Sequence, residues 1–170
     1  LKAAVWDPLI ERYDLSRRVT VHSYEEIRNR MDPEHPGFKD FYGKAEDCAL
    51  VIVDEAHNLR NAGAARSTAL DRIILAGKHP KKVVLLTATP VNNSLVDLET
   101  LIKYFVRDDS RFAALGIPSI KQYIRQAQKL DPEALTPAHL FDLMDQVSVR
   151  RTRRFVKAHY AGDTVPGPGK

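Results

Sequence analysis

The sequence ALVIVDEAH at residues 49–57 decides the fold, because an apolar run there ends on two adjacent carboxylates, Asp54 and Glu55. A second apolar run, VVLL at residues 83–86, ends on Thr87. Both runs consist of aliphatic residues without polar alternation, which is typical of parallel strands that are covered on both faces. The sequence therefore predicts two buried strands whose carboxyl ends carry polar side chains.

The segments around these strands have different patterns. Residues 65–76 place apolar side chains on one helical face and stop at Gly77, and residues 96–106 also have helical spacing. Residues 18–21 (RVTV) are a third, weaker strand candidate, whereas the prolines and glycines of residues 31–47 predict a loop. Strands that alternate with helices indicate an α/β layered domain.

The C-terminal part of the chain is different, because residues 107–149 contain no strand candidate and are expected to be helical. One helix is predicted to begin at Ser119 and another at Thr136, which precedes a proline at the first helical position. A basic run follows, RRTRR at residues 150–154, and residues 162–170 have the proline and glycine content of a linker.

Composition limits the classes of function. A chain of 170 residues, 44% hydrophobic and 28% charged, suits one globular domain with a core of ordinary size. The net charge of +4 is compatible with a polyanionic partner without requiring one. Cys48 is the only cysteine, so no internal disulfide can form and a reducing, cytoplasmic location is expected. Because no apolar run has membrane-spanning length, we expect no membrane partner.

The adjacent carboxylates are the main candidates for chemistry, since ligands of open α/β sheets bind beyond the carboxyl ends of the strands. Asp54 is placed to hold nucleotide-bound Mg²⁺, directly or through water. Glu55 would orient or deprotonate the water that attacks the γ-phosphate, and His57 would sense the nucleotide or relay its state. The alternative is structural: Asp54 and Glu55 cap the next helix, and His57 is a surface histidine.

A second polar block, TATP at residues 87–90, follows the other predicted strand. Alone, it is more typical of an ordinary exit from a strand into a turn. Next to the carboxylates, the hydroxyls of Thr87 and Thr89 would contact both the catalytic carboxylate and the neighbouring cleft.

Together, DEAH at residues 54–57 and TATP at residues 87–90 resemble motifs II and III of superfamily-two helicases. The continuation VNN at residues 91–93 and the Leu-rich segment after it are most similar to Swi/Snf-type DNA translocases and their bacterial relatives. Those proteins pair two RecA-like lobes that close on ATP while they grip a duplex backbone. The resemblance implies ATP and Mg²⁺ as cofactors, double-stranded DNA as the partner, and a second RecA-like lobe in the same parent chain.

The resemblance covers nearly the whole chain and implies its organisation. Residues 1–106 are similar to the C-terminal part of the first RecA-like ATPase lobe, residues 107–149 to its helical insertion, and residues 150–170 to a basic element followed by a linker tail. The implied fold class is α/β, a partial RecA-like parallel sheet with flanking helices plus a C-terminal helical insertion.

The resemblance also implies roles for individual residues. Asp54 matches the magnesium-binding aspartate and Glu55 the catalytic glutamate of the DEAH box, while Thr87 and Thr89 would couple hydrolysis to nucleic-acid contact.

Two flanking segments also match the family. HSYE at residues 22–25 resembles a segment that touches the DNA backbone, which makes Ser23 and Tyr24 nucleic-acid candidates. Arg150 and Arg151 belong to a run similar to the LRRTK element that closes the first lobe. From the residues alone, this run is equally a phosphate-binding patch or a solvated helix end.

The sequence lacks the phosphate-binding motif GxxxxGK[ST]. The PGPGK segment at residues 166–170 lacks the hydroxyl residue and the glycine spacing of that motif. In the family that loop would lie before Leu1, and the arginine finger of the second lobe after Lys170. Because phosphoryl transfer depends on positioning and charge neutralisation, the isolated chain is expected to be inactive.

Two other functions stay open. One is an RNA or DNA strand-separating helicase or a restriction-system motor, and the other is a non-hydrolysing interaction module on the same fold.

Trp6, near Val5 and Leu9, is most simply a core residue.

Overall fold

The computed structural model describes residues 5–61, 63–88, 95–129 and 145–149. The chain divides into two compact units, Leu1–Gln128 and Lys129–Lys170, and the described part of the second unit is limited to residues 129 and 145–149. The first unit holds the sheet and the helices around it. In chain order the elements are α1 (Asp7–Arg12), α2 (Tyr24–Arg30), α3 (Phe38–Asp47), β1 (Leu50–Val53), a 3₁₀ turn (Ala56–Leu59), α4 (Ala65–Leu75), β2 (Lys82–Leu85), α5 (Leu95–Lys103), a second 3₁₀ turn (Ala113–Leu115) and α6 (Ile120–Lys129).

The two predicted strands form a parallel pair. Leu50 is in register with Lys82 at one end, and Val53 with Leu85 at the other. Because α4 lies between them in the chain, β1, α4 and β2 make one strand–helix–strand unit, as the apolar runs predicted.

One face of this sheet is packed and the other is open. The side chains of Val51, Val53, Val83 and Leu85 pack into the core. The alternate side chains, by contrast, are between 40% and 50% exposed: Leu50, Ile52, Val84 and Leu86. The prediction that both faces would be covered is therefore wrong for the described residues, since their helices pack on one face only.

Helix α4 supplies side chains to two hydrophobic clusters. Leu70 and Ile74 pack with β1 and the first 3₁₀ turn, in a cluster that also contains Val53, Ala56, Leu59, Leu101 and Tyr104. Ala69 and Ile73 pack with α3 and the end of α2, in a cluster that also contains Met31, Phe41, Ala45 and Ala76. The strand end that carries the carboxylates therefore rests on a buried apolar base.

The loop predicted over residues 31–47 is wrong in its second half, which forms α3. Phe41 and Ala45 are buried at the i, i+4 spacing of one helical face. That burial outweighs the modest cost of Gly43 inside the helix. Pro36 and Gly37 precede α3, where they do not interrupt it.

The strand candidate at residues 18–21 is also wrong. The backbone N–H groups of Arg18 and Val19 both donate to the carbonyl of Leu15, so they belong to a turn rather than to a sheet ladder. Residues 18–23 carry no helix or strand.

Two predicted helix ends are confirmed, whereas α5 ends at Lys103 and so stops short of the predicted end at Val106. Helix α4 is followed by Gly77 at φ 78°, and a Cβ there would lie 2.8 Å from the carbonyl oxygen of Glu46, so both the conformation and the space require glycine. Helix α6 follows Ser119, whose Oγ accepts a hydrogen bond from the Gln122 N–H at 3.0 Å. The predicted helix at Thr136 lies outside the described residues.

The described helices are short, the longest being α4 with 11 residues. None of them combines the length and apolar character needed to cross a bilayer.

Candidate functional site

Hydrogen bonds beyond the strand ends join the two polar blocks. The N–H of Leu86 donates to the carbonyl of Val53 at 2.8 Å, and the carbonyl of Leu86 accepts from the N–H of Ala56 at 2.9 Å. The chain after β2 is thereby fixed to both sides of the loop that holds Asp54 and Glu55. Asp54 and Glu55, which follow β1, and Thr87, which follows Leu86, therefore lie at the same edge of the sheet.

Glu55 has a backbone conformation that an L-residue adopts only at a cost. Its φ of 51° and ψ of 45° lie in the left-handed region, which costs a non-glycine residue about 1–2 kcal/mol. The loop holds this geometry through both polar backbone groups of Glu55. Its N–H donates to Asp54 Oδ1 at 2.9 Å, and its carbonyl accepts from the N–H and the Nδ2 of Asn58, both at 3.0 Å. The side chain of Glu55 makes no helix-capping hydrogen bond, which disfavours the capping alternative.

The half-buried carboxylate of Asp54 has two donors. Oδ1 accepts from the Glu55 N–H, and Oδ2 accepts from the indole Nε1 of Trp6 at 3.3 Å. Trp6 precedes α1 and lies 48 residues away in the chain. The indole is half-buried, so its N–H needs a partner. Asp54 is thus oriented from both sides.

Tyr24 lies under the same loop. Its hydroxyl donates to the backbone carbonyl of Asp54 at 2.8 Å and lies 3.5 Å from the carbonyl oxygen of Glu55. Burial, with a further contribution from the charge of Asp54, raises the pKa of Tyr24 to about 12. The hydroxyl therefore stays protonated, and able to donate, throughout the physiological range.

His57 faces Glu55, with its Nδ1 3.1 Å from Glu55 Oε2. The His57 side chain is 35% exposed and that of Glu55 is 51% exposed, so solvent reaches both groups. Between and beyond them, Ala56 and Leu59 are fully buried. Two apolar side chains thus anchor the loop, and its polar side chains project from that anchored backbone.

An ion pair connects this loop to α5. Arg60 Nε lies 3.8 Å from Asp97 Oδ2, and each side chain is 16% exposed. Arg60 follows the first 3₁₀ turn directly, while Asp97 is in the first turn of α5. This ion pair therefore links α5, the helix after the TATP block, to the segment that follows the DEAH block.

The residues at this edge fit Mg²⁺ only as part of a metal–nucleotide complex. The described residues include no group of three or more His, Cys, Asp or Glu side chains that could hold a metal alone. One oriented carboxylate is nevertheless what nucleotide-bound Mg²⁺ requires, because phosphate oxygens and water supply its other ligands. Each oxygen of Asp54 accepts one hydrogen bond and so keeps a second lone pair for such a ligand.

The other predicted site residues are only partly brought to this edge. Thr87 is half-buried next to Leu86, and Thr89 lies outside the described residues. Ser23 is exposed, and its Oγ caps α2 by accepting the N–H of Glu26 at 3.1 Å. Arg150 and Arg151 also lie outside the described residues.

The contact between Trp6 and Asp54 was not predicted from the sequence, and Tyr24 was predicted to contact nucleic acid rather than this loop. Trp6 was expected in the core, and its indole instead contacts the carboxylate of Asp54. The available signal was that a tryptophan or tyrosine beside a polar site needs a partner for its N–H or O–H. That rule gives no means of choosing the partner.

Among the relatives that match parts of the chain are two helicase-named proteins. One is a protein of Acanthamoeba polyphaga mimivirus named as an ATP-dependent RNA helicase, 35% identical over 97 residues, which are 57% of this chain and 19% of the relative. The other is an Arabidopsis thaliana protein named as an ATP-dependent DNA helicase, 39% identical over 56 residues, which are 33% of this chain and 5% of the relative. The matched region thus spans less than a fifth of either relative. No solved structure matches significantly.

The family comparison covers much more of the chain. The SNF2-related domain matches residues 9–161, which include both strands, the carboxylate loop and α1 to α6 from residue 9 onward. Since this match extends over most of the 170 residues, the chain belongs to the SNF2-related domain family.

Proposed function

We propose that this chain is the part of an ATP-hydrolysing, nucleic-acid-stimulated motor that handles the metal ion and the attacking water. The observation that carries the proposal is the pair of hydrogen bonds through Leu86, which joins the Asp54–Glu55 loop to the start of the second polar block. A motor needs such a connection, because the residues that sense hydrolysis must move with those that perform it. Membership of the SNF2-related domain family supports the same function.

In this proposal the two carboxylates have separate tasks. Asp54, oriented by two donors, holds the Mg²⁺ of Mg–ATP, directly or through water. Bound Mg²⁺ supplies charge neutralisation at the phosphates. Glu55, half exposed beside His57, orients the attacking water and accepts its proton. Thr87 and Thr89 pass the state of the nucleotide to the nucleic-acid side, and His57 senses it through Glu55.

The architecture proposed for the parent protein is a pair of RecA-like lobes. The described parallel pair, β1 and β2, belongs to the first lobe, and residues 107–149 form a helical insertion with α6 as its described helix. Residues 150–170, including Arg150 and Arg151, form the basic element and linker that lead to the second lobe.

Double-stranded DNA is the proposed partner, in line with the Swi/Snf-type pattern of residues 87–93. The alternative is a strand-separating helicase on RNA or DNA, and the name of the viral relative as an RNA helicase favours keeping it. A non-hydrolysing module is a third possibility, which the strained and well-supported geometry of Glu55 disfavours, since strain is retained where function needs it.

The test is ATP hydrolysis by the parent protein without polymer and with double-stranded DNA, single-stranded DNA or RNA, in wild type and Glu55→Gln. We expect strong stimulation by duplex DNA, and loss of at least about 100-fold in Glu55→Gln, the scale of a general base. Glu34→Gln, an exposed glutamate in the turn before α3, is the matched control and should keep the wild-type rate. Stimulation by RNA alone would select the helicase alternative, and equal rates in Glu55→Gln and wild type would reject the motor.

The isolated 170-residue chain is proposed to hydrolyse no ATP, because its sequence lacks a phosphate-gripping loop. Magnesium-dependent turnover by the pure chain, absent in Glu55→Gln, would contradict this.

A further inference from the structure

We propose that Trp6 and Tyr24 are positioning residues for the DEAH loop: the indole of Trp6 fixes the plane of the Asp54 carboxylate, and the hydroxyl of Tyr24 fixes the backbone on which Asp54 and Glu55 stand. This inference rests on the proposed function, because it assigns the two aromatic residues to the same magnesium and water site. It differs from the sequence-based expectation that Tyr24 contacts nucleic acid and that Trp6 only fills the core.

The contact from Trp6 determines how the carboxylate is presented. One donor, the Glu55 N–H, comes from the adjacent residue and binds Oδ1 at 2.9 Å. With that bond alone, the carboxylate group remains able to rotate about its bond to Cβ. The second donor, Trp6 Nε1 on Oδ2 at 3.3 Å, comes from outside the loop and fixes the plane. Outer contacts of this kind orient a metal-binding group and set how well it binds.

The contact from Tyr24 acts on the backbone instead. The hydroxyl donates to the Asp54 carbonyl at 2.8 Å and stands 3.5 Å from the next carbonyl, that of Glu55. Glu55 is in the left-handed conformation, which persists only when its surroundings hold it. The hydrogen bond from Tyr24 holds the carbonyl of Asp54, the residue immediately before Glu55. The ring of Tyr24 also packs against the cluster beneath the loop, so the donor itself is held in place.

The position of Tyr24 is set by its helix. Tyr24 is the first residue of α2, and Ser23 caps that helix through the N–H of Glu26. A change at the start of α2 therefore reaches Asp54 through one hydrogen bond. A hydroxyl that donates to a carbonyl cannot at the same time donate to a phosphate, so the Tyr24 hydroxyl serves the loop rather than a nucleic-acid backbone.

The first experiment uses the parent protein and two substitutions that each delete one donor and keep an aromatic ring, Trp6→Phe and Tyr24→Phe. The readout is the Mg²⁺ concentration for half-maximal ATPase, together with kcat and the KM for ATP. We expect Trp6→Phe to raise the half-saturating Mg²⁺ concentration about 10-fold, the lower end for loss of an outer contact to a metal ligand. We expect Tyr24→Phe to lower kcat about 10-fold after normalisation to the folded fraction measured by circular dichroism, with less than about a twofold change in the KM for ATP.

The matched control is Tyr13→Phe, because the Tyr13 ring is 61% exposed at the end of α1. It should leave all three quantities unchanged. A purely structural role for Trp6 would reduce the folded fraction, and so kcat, without moving the Mg²⁺ dependence. Wild-type Mg²⁺ dependence in Trp6→Phe therefore overturns the assignment of Trp6. For Tyr24, a wild-type basal rate with reduced stimulation by nucleic acid overturns the inference in favour of the nucleic-acid role.

A second experiment tests the Trp6 contact directly and needs no turnover. Trp6 is the only tryptophan of the 170-residue chain, so the tryptophan fluorescence reports on the surroundings of this indole. Asp54→Asn should shift the emission, because the indole N–H loses an anionic acceptor, whereas Asp47→Asn, at an exposed carboxylate of α3, should not. Identical emission from Asp54→Asn and wild type would overturn the contact. The proposed function has its own criterion, the loss of ATPase in Glu55→Gln, so the two can fail separately.

Discussion

Replacing Glu55 by glycine should leave the chain more stable than replacing it by alanine. Both substitutions remove the same side chain beyond Cβ, so the difference between them isolates the backbone. With φ 51° and ψ 45°, alanine at this position bears a left-handed penalty of about 1–2 kcal/mol. Glycine avoids this penalty but loses about 0.5–1 kcal/mol more conformational entropy on folding. From the midpoints of these ranges, the expected net difference is about 0.75 kcal/mol in favour of glycine.

The assay is urea unfolding of the 170-residue chain, followed by circular dichroism, for both Glu55 variants. Two positions serve as controls. Asp14 is the other described non-glycine residue at positive φ, 52°, and should show the same preference for glycine. Asp71 lies in the middle of α4, where glycine should be less stable than alanine by about 1 kcal/mol. The sign of the difference should therefore reverse between the loop and the helix.

One result would refute this reasoning. If Glu55→Ala is as stable as Glu55→Gly, while Asp71 shows the normal preference for alanine, Glu55 is not left-handed in solution. The loop would then present the carboxylate differently from the structure. If the prediction holds, ATPase of the parent protein should still be lost in both Glu55 variants. If Glu55→Gly is in addition more stable than wild type and yet inactive, the strain at Glu55 is retained for function.

Three further predictions concern the base of the site and a more distant cap. Leu59→Ala, at a fully buried position, should cost about 2–5 kcal/mol in urea unfolding, whereas Leu75→Ala, at a side chain 64% exposed, should cost less than about 0.5 kcal/mol; equal costs would contradict the packing described here. A double-mutant cycle of Arg60→Ala and Asp97→Ala should give a coupling energy of about 1 kcal/mol, and additive costs would show that the ion pair does not stabilise the fold. The hydroxyl of Ser119 and the N–H of Lys121 hold the pKa of Asp109 below its ordinary value, so the stability from this carboxylate is present above the ordinary aspartate pKa and is lost as pH falls through the lowered one. Asp109→Asn should therefore be less stable at neutral pH and show a smaller loss of stability on acidification, measured by urea midpoints at several pH values; an unchanged acid dependence would contradict this.

The features that sequence could predict are those with a local cause. The run at residues 50–53 is aliphatic at every position and ends on a charge, so the strand and the polar edge follow from neighbouring residues alone. The parallel pairing with residues 82–85 follows from the helix between them. The stop of α4 at Gly77 is local in the same sense. Each of these predictions is confirmed by the described residues.

The failures have a different origin, since each depends on packing between distant residues. In α3, the free energy gained by burying Phe41 and Ala45 outweighs the helix-destabilising effect of a glycine within the helix. Local propensity alone does not predict this outcome, and the prolines before α3 made a loop the expected structure. The open sheet face depends on where the helices lie. The left-handed conformation of Glu55 has no sequence signal, because the usual signal is glycine or asparagine. The roles of His57, Thr87 and Thr89 remain predictions.

The charges at the site bear on the metal requirement of the proposed chemistry. Asp54 and Glu55 place two negative charges at one sheet edge, and their described partners include an indole N–H, a backbone N–H and the His57 ring. A triphosphate approaching this edge as a free anion would be repelled, since like charges about 4 Å apart interact unfavourably by several kcal/mol at a protein surface. A divalent cation between them reverses the sign of that interaction. If the proposed function holds, the loop would receive nucleotide together with its metal, and the rate of the motor should depend on the concentration of the Mg–ATP complex rather than on that of free ATP.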